Sequence, residues 1–222
     1  VLFRSELSDF TIVRPHGTAS QGPKAYSVET KSGEIHYYGD VSAVSGTDTK
    51  GASLALTLKN AAGSTESGSD ALFEVPGSTT ARFWALKAIK DVKNNYILFK
   101  YAEDQAKGEH YLSEVHYTGR GTTAPFAKVV LNYAPALKKR IGYQAGHPAS
   151  MTQLLKSITV FQDGIQYRHY QLNYFETDVL EEKTYLTSLQ ECTTSAIANC
   201  YPALKFDWLK PATVTTTINT VC

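Results

Sequence analysis

Methionine occurs once, tryptophan twice and cysteine three times in this chain of 222 residues, and its net charge is only +1. Each scarcity closes a class of reading. Three cysteines are too few for a disulfide-built mini-scaffold, and Cys192 and Cys200 lack the spacing of about two to four residues that marks a zinc pair. Near-neutrality removes the clustered Lys/Arg excess that nucleic acid or an anionic membrane requires. No apolar run approaches a membrane span, and no basic-then-apolar leader opens the chain. A Gly-x-Ser-x-Gly elbow is absent, and Gly46-Thr-Asp-Thr-Lys-Gly51 lacks the Lys-Ser/Thr ending of a phosphate loop. Asp163-Gly164 is a turn pair without the further carboxylates of a calcium loop, and Lys138-Lys-Arg140 reads as a solvated loop. The sequence therefore predicts no cofactor, no metal and no catalytic residue. Because residue 1 is Val and the Thr-rich run 213–218 leads only to Cys222, the chain reads as a piece of a longer polypeptide.

What is plentiful is tyrosine, 14 residues of it, within an aromatic content of 11%. Tyrosine and β-branched residues suit a pleated, half-buried surface, and 42% hydrophobic residues is ample for a packed core. Short alternating segments bounded by Gly, Asn and Asp predict strands at Phe10–Arg14, Ala25–Thr30, Glu34–Tyr38, Ala71–Val75, Phe83–Ile89 and Tyr96–Ala102. Further strands are predicted at Tyr111–Tyr117, Phe126–Tyr133, Met151–Phe161, Ile165–Phe175, Thr184–Gln190 and Ala203–Trp208. Residues 39–70 are rich in Gly, Ser, Thr, Ala and Asn, and predict a flexible peripheral insertion around one strand, Leu54–Leu58. Helical signals are confined to a turn at Thr152–Ser157 and an acidic patch at 177–183. The expected class is all-β: antiparallel hairpins in a meander, forming a large sheet or a sandwich of roughly a dozen strands.

His110 and His116 stand an even number of residues apart on a predicted strand, hence on one face but about 20 Å apart, too far to share an ion. Tyr37, Tyr101, Tyr117, Tyr133, Tyr167, Tyr170 and Tyr174 suit a sugar-stacking groove or, in the favoured reading, cross-strand packing. Trp84, Tyr101, Tyr117, Tyr170, Tyr174 and Trp208 are read as structural aromatics. Cys192 and Cys200 are a short-loop disulfide in an oxidising compartment, or two small buried hydrophobes otherwise. The small polar loop between them favours the disulfide, with Cα atoms about 4.4–6.8 Å apart.

A loose repeat runs through 30–38, 90–101 and 161–170: a polar turn containing Gly or Asn, then a strand with alternating Tyr. This is similar to the hairpin grammar of RHS (YD) repeats, though Asn95 stands where Gly-Asn is usual. The order of segments is more specific. Trp84-Ala-Leu-Lys-Ala-Ile89-Lys-Asp91, Tyr111-Leu-Ser-Glu-Val-His-Tyr117-Thr-Gly119, Lys128–Tyr133, Leu155–Ile158, Tyr167–Tyr174 and Ser188-Leu-Gln-Glu-Cys192 lie in collinear order across 82–208. Together they resemble the SpvB/Tc-toxin B-component group, large bacterial proteins that continue into RHS repeats. Residues 1–81 match it loosely.

That resemblance implies two regions, 1–81 and 82–222, belonging to a β-rich shell. It also implies a non-enzymatic structural role in a large secreted RHS/Tc-like toxin. The expected partners are the remainder of the same polypeptide and other toxin subunits, and the expected setting is bacterial export directed by a signal elsewhere. The alternative is a stand-alone β-sandwich module that binds carbohydrate.

Overall fold

The computed structural model describes residues 3–4, 11–18, 22–175, 184–193 and 199–208. A single antiparallel sheet of twelve strands dominates it, with two small two-stranded sheets beside it. The first four strands are β1 (Phe3–Arg4), β2 (Ile12–His16), β3 (Ala25–Glu29) and β4 (Ile35–Gly39). Two short ribbons follow, β5 (Leu58–Lys59) with β6 (Thr65–Glu66), and β7 (Leu72–Glu74) with β8 (Ala81–Trp84). The chain re-enters the sheet at β9 (Leu86–Lys90), which pairs with β4, then continues through β10 (Asn95–Asp104) and β11 (Glu109–Arg120). The long strands β12 (Ala127–Gln144) and β13 (His147–Gln162) precede β14 (Ile165–Phe175), β15 (Tyr185–Cys192) and β16 (Leu204–Lys205). Apart from the excursion between β4 and β9, every neighbour in the sheet is also the neighbour in sequence. The fold is all-β, and of the two expected forms it is the large sheet.

Alternation explains the inner strands. Ala25, Ser27 and Glu29 on β3, and Ile35, Tyr37 and Gly39 on β4, face inward at every second residue. The surprise is what covers them. Residues 39–70 were expected at the periphery around a strand at Leu54–Leu58. Instead, Val41, Val44, Leu54 and Leu58 join Ala25, Ile35, Tyr37, Ala88, Tyr96 and Leu98 in the largest buried cluster. The period-two pattern of Leu54, Leu56 and Leu58 is real, but it seats leucines onto the sheet, with only Leu58–Lys59 entering a ladder. Polar anchors hold the segment down. The buried Glu29 carboxylate accepts from the Thr49 backbone and hydroxyl and pairs with Arg14 at 2.8 Å. The Ala61 amide donates to His116 Nδ1 at 2.8 Å, and the Tyr96 hydroxyl bridges to the Lys59 backbone at 3.1 Å.

The β4–β9 pairing joins strands from before and after residues 81–82 in one sheet. Lys87 on β9 is completely buried beneath the excursion, 2.6 Å from Asp70 and 3.7 Å from Glu66, while Lys100 reaches Glu66 at 3.0 Å. Burial pushes the Glu66 carboxyl up, but hydrogen bonds from Asn60 and Lys100 and the two lysine charges outweigh it and leave its pKa below the ordinary value. Such a network rewards the correct seating of the segment, because any lone member would be a buried unpaired charge.

Bulges decide which way side chains point. Between Lys100 and Tyr101 the register slips by one, leaving Ser113 as an extra residue on β11, its hydroxyl donating to the Lys100 carbonyl at 3.0 Å. His116 pairs with Leu98 and His110 with Glu103, an odd separation along β10. The two histidines therefore lie on opposite faces, correcting the expectation of one face. Tyr96 pairs with Gly119, and a Cβ at Gly119 would lie 2.3 Å from the Tyr96 ring, so only glycine lets the ring cover that strand.

Candidate interaction surfaces

The most exposed apolar part of the described chain is one that sequence patterning passed over. Residues 134–150 lie between the predicted strands Phe126–Tyr133 and Met151–Phe161 and include Lys138-Lys-Arg140, which reads as a solvated loop, with Pro135, Gly142, Gly146 and Pro148 around it. They form the outer half of the β12–β13 hairpin, closed by Ala145 and Gly146, both with positive φ as a two-residue hairpin turn demands. Leu137, Ile141, Tyr143 and Met151 are 55%, 69%, 74% and 60% exposed there. Neither β11 nor β14 pairs with this half, since β11 stops at Val130 of β12 and β14 starts at Ser157 of β13.

Three contacts tether this arm to the body. Glu109, buried on β11, accepts from the amides of Thr152 and Gln153 at 2.5 and 3.1 Å and from the Thr152 hydroxyl at 2.5 Å. Arg82 of β8 donates to the Pro148 carbonyl at 2.9 Å and to Gln144 Oε1 at 2.8 Å. Gly108, with φ +58, lets the β10–β11 turn approach the arm, because a Cβ there would lie 2.1 Å from the Pro148 carbonyl oxygen.

Beside these tethers opens a cleft of about 280 Å³, lined by Glu74, Arg82, Phe83, Glu103, His110 and Gln144 among others. The His110 ring lies nearly parallel to Phe73, centroids 4.1 Å apart, and Phe83 stacks on Phe73 at 5.9 Å. Burial, then the nearby Arg82 charge, lowers the His110 pKa. Burial, then Glu74, raises that of Glu103. The guanidinium is already committed to the arm. Among the described residues the lining holds no serine, threonine, cysteine or lysine.

The residues singled out from sequence are dispersed over the sheet. Tyr37 is wholly enclosed, its hydroxyl without a hydrogen-bond partner, and burial pushes its pKa upward. Tyr101 donates to the Leu86 carbonyl at 2.8 Å, and its pKa is pushed up to about 12 by burial and then by Asp70. Tyr117 pairs with Ala127, and Tyr170 lies between Ile158 and Glu191. Tyr133 donates to the Leu112 carbonyl at 2.9 Å, and Lys156 sits 5.1 Å over the Tyr174 ring. Tyr167 is exposed beneath the Arg168 guanidinium at 4.9 Å. Trp84 is half-buried, its indole N–H donating to the Pro23 carbonyl at 3.0 Å and its ring edge-on to Tyr26. Trp208 is 54% exposed, but its N–H donates to the Leu186 carbonyl at 2.7 Å and so occupies an edge acceptor of β15.

Cys192 and Cys200 are joined, with Cα atoms 3.9 Å apart, nearer than expected. The cause is their position as a direct antiparallel pair between the hydrogen bonds Thr193 N–H to Asn199 and Tyr201 N–H to Glu191. Non-hydrogen-bonded pairs bring Cα atoms closest. Cys222, the acidic patch 177–183 and the run 213–218 lie outside the described residues. Among the described residues no three His, Cys, Asp or Glu side chains converge as a metal-holding group, and no helix is long and apolar enough to cross a membrane.

No protein-family model matches the chain, and no curated protein matches it. Solved structures do. A crystal structure of TcdB2–TccC3–Cdc42 is similar over 93% of this chain and 11% of its own, at 15% identity and a TM-score of 0.62. The N-terminal domain of the effector protein SpvB from Salmonella typhimurium is similar over 87% of this chain and 68% of its own, at 14% identity and a TM-score of 0.59. The Photorhabdus luminescens Tc holotoxin pore is similar over 90% of this chain and 11% of its own, at 13% identity and a TM-score of 0.58. The chain thus shares its fold with Tc-toxin and SpvB structures, and it spans about a tenth of the length of the two Tc chains.

Proposed function

We propose that this chain is a non-enzymatic, wall-forming segment of a large exported bacterial toxin polypeptide of the RHS-associated type. The observation that carries the reading is an open sheet, spanning nearly the whole described chain, that leaves large apolar side chains uncovered at its arm and around Ile165, Leu204 and Trp208. Exposed apolar side chains gathered on one arm mark an interaction surface, and a segment seated among further protein presents one by construction. The likeness to Tc chains of which this chain matches only 11% supports the same setting. Its partners are then the rest of its own polypeptide and neighbouring toxin subunits, and its cysteine pair suits an exported protein.

Two measurements test this. Sequencing the gene past Cys222 should reveal a continuing reading frame with repeat-rich sequence. A broad hydrolase and transferase screen on the purified chain should find no turnover; activity abolished by one polar substitution that leaves the melting temperature unchanged would overturn the proposal. Glycan-array binding addresses the second reading, a carbohydrate module. The exposed Phe83 face beside Glu74, Glu103 and His110 is the observation that favours it. Saturable binding lost on Phe83→Ala would promote that reading.

A further inference from the structure

The β12–β13 arm is not simply a frayed hairpin end. Between Pro135, which pairs with Gln153, and Arg140, which pairs with Met151, residues 136–139 face Thr152 alone. This wide bulge extrudes Leu137, Lys138 and Lys139 from the ladder while Ala136 stays buried. Opposite the bulge, the amides of Thr152 and Gln153 both donate to the buried Glu109 carboxylate. A bulge braced from behind by a buried acid is a built feature of the fold.

What the bulge presents is a cationic, apolar surface. Lys138, Lys139 and Arg140 make no ion pair among the described residues, while Leu137, Ile141, Tyr143 and Met151 stand more than half exposed around them. Ile141 and Tyr143 pair with Ser150 and Pro148 and so share one face; Met151 pairs with Arg140 on the other. Apolar groups on both faces suit a tongue gripped from two sides, whereas a hairpin lying on a lipid surface would need them on one. The extreme turn, Gln144 to His147, is polar and tied back through Gln144 to Arg82, so the arm does not present an apolar point to a bilayer. On a second copy of the chain, Glu29, Glu66, Asp70, Glu109 and Glu114 already serve their own partners and offer these cations no free carboxylate.

We propose that the β12–β13 arm is a docking tongue for an acidic, apolar-floored surface of the same polypeptide that lies outside residues 1–222. The proposal rests on the wall-segment reading and names the seam at which the wall is joined. Three cations beside four exposed apolar side chains call for carboxylates around an apolar floor.

The test uses the intact gene product. Zero-length carbodiimide coupling joins ammonium and carboxylate groups only where they touch, and peptide mass spectrometry then reads the linked residues. The expected result is Lys138 or Lys139 linked to an Asp or Glu outside residues 1–222 of the same polypeptide, with the link lost in a K138Q/K139Q variant of unchanged melting temperature. Absence of any link at these lysines overturns the proposal, as do links confined to carboxylates within 1–222, the acidic patch 177–183 included. Links to a second copy or to a separate subunit also overturn it. In all these cases the wall-segment reading survives on its own evidence. A reading frame that stops at Cys222 overturns both.

Discussion

Replacing Leu54 with alanine separates a core-building segment from a peripheral loop. Leu54 is fully buried, and its backbone N–H donates to the Gly46 carbonyl at 2.9 Å within a loop closed by the Thr47–Ser53 bridge. Around it lie Ile35, Tyr37, Val44, Leu58 and Leu98, from both the sheet and the covering segment. Removing a fully buried leucine to alanine costs its transfer free energy plus a cavity term, together about 2–5 kcal/mol. The bridge and the Glu29 contacts hold this loop in place, so the cavity will close only partly, and about 3 kcal/mol is the expected value. At this chain length each kcal/mol lowers the melting temperature by about 2–4 °C, giving roughly 6–12 °C in all. Thermal unfolding followed by far-UV circular dichroism reads the shift directly. Leu137→Ala is the matched control: an exposed leucine on the arm should change stability by no more than about 0.5 kcal/mol. A Leu54→Ala variant melting within about 1 °C of the parent would refute the reasoning and return residues 39–70 to the periphery.

Four further outcomes follow from the same structure. Glu109→Gln turns one acceptor oxygen into a donor facing Thr152, so it should cost about 1–3 kcal/mol and speed amide hydrogen exchange at Thr152 and Gln153; unchanged exchange at both would contradict the bracing role. Trp84→Ala removes a half-buried ring with a satisfied N–H and should cost about 2–4 kcal/mol by urea unfolding, whereas Trp208→Ala, on a ring 54% exposed, should cost about 1 kcal/mol. Equal losses would show the two rings to be equivalent. Thiol titration in denaturant without reductant should find one free thiol per chain; three would exclude the Cys192–Cys200 bond. Finally, burial lowers the pKa of His16, His110 and His116 from 6.5. Below that pH the unfolded chain therefore binds more protons than the folded one, and stability should fall from pH 7 to pH 5. The lowered pKa values of Glu66 and Glu114 extend the loss below 4.5, and Glu103, raised, opposes it weakly. A melting temperature that rises on acidification to pH 5 would contradict this.

Much of the ladder was legible in the linear pattern, because two-residue alternation and turn chemistry are local properties. Ile165–Phe175 is a strand with the expected bounds, and Ala25–Glu29 and Ile35–Gly39 fall within a residue of theirs. The expected Phe83–Ile89 strand is split at Ala85, since its first part pairs with β7 and its second joins the main sheet. Alternation at Leu54, Leu56 and Leu58 correctly marked a buried face, but nothing local tells whether such a face enters a ladder or lies upon one. The arm was missed because Pro135, Pro148 and three consecutive cations carry loop character; long-range tethers from Glu109 and Arg82 hold it as a strand pair.

The sequence by itself determined the class of this protein, its meander order and the positions of most turns, all consequences of side-chain period and backbone freedom within a few residues. The tertiary structure alone decided the orientation of His110 against His116, the seating of residues 39–70 on the sheet and the projection of the arm. Each of those turns on where a bulge falls or a buried acid finds its partners, and such contacts between distant residues leave no periodic trace in the chain.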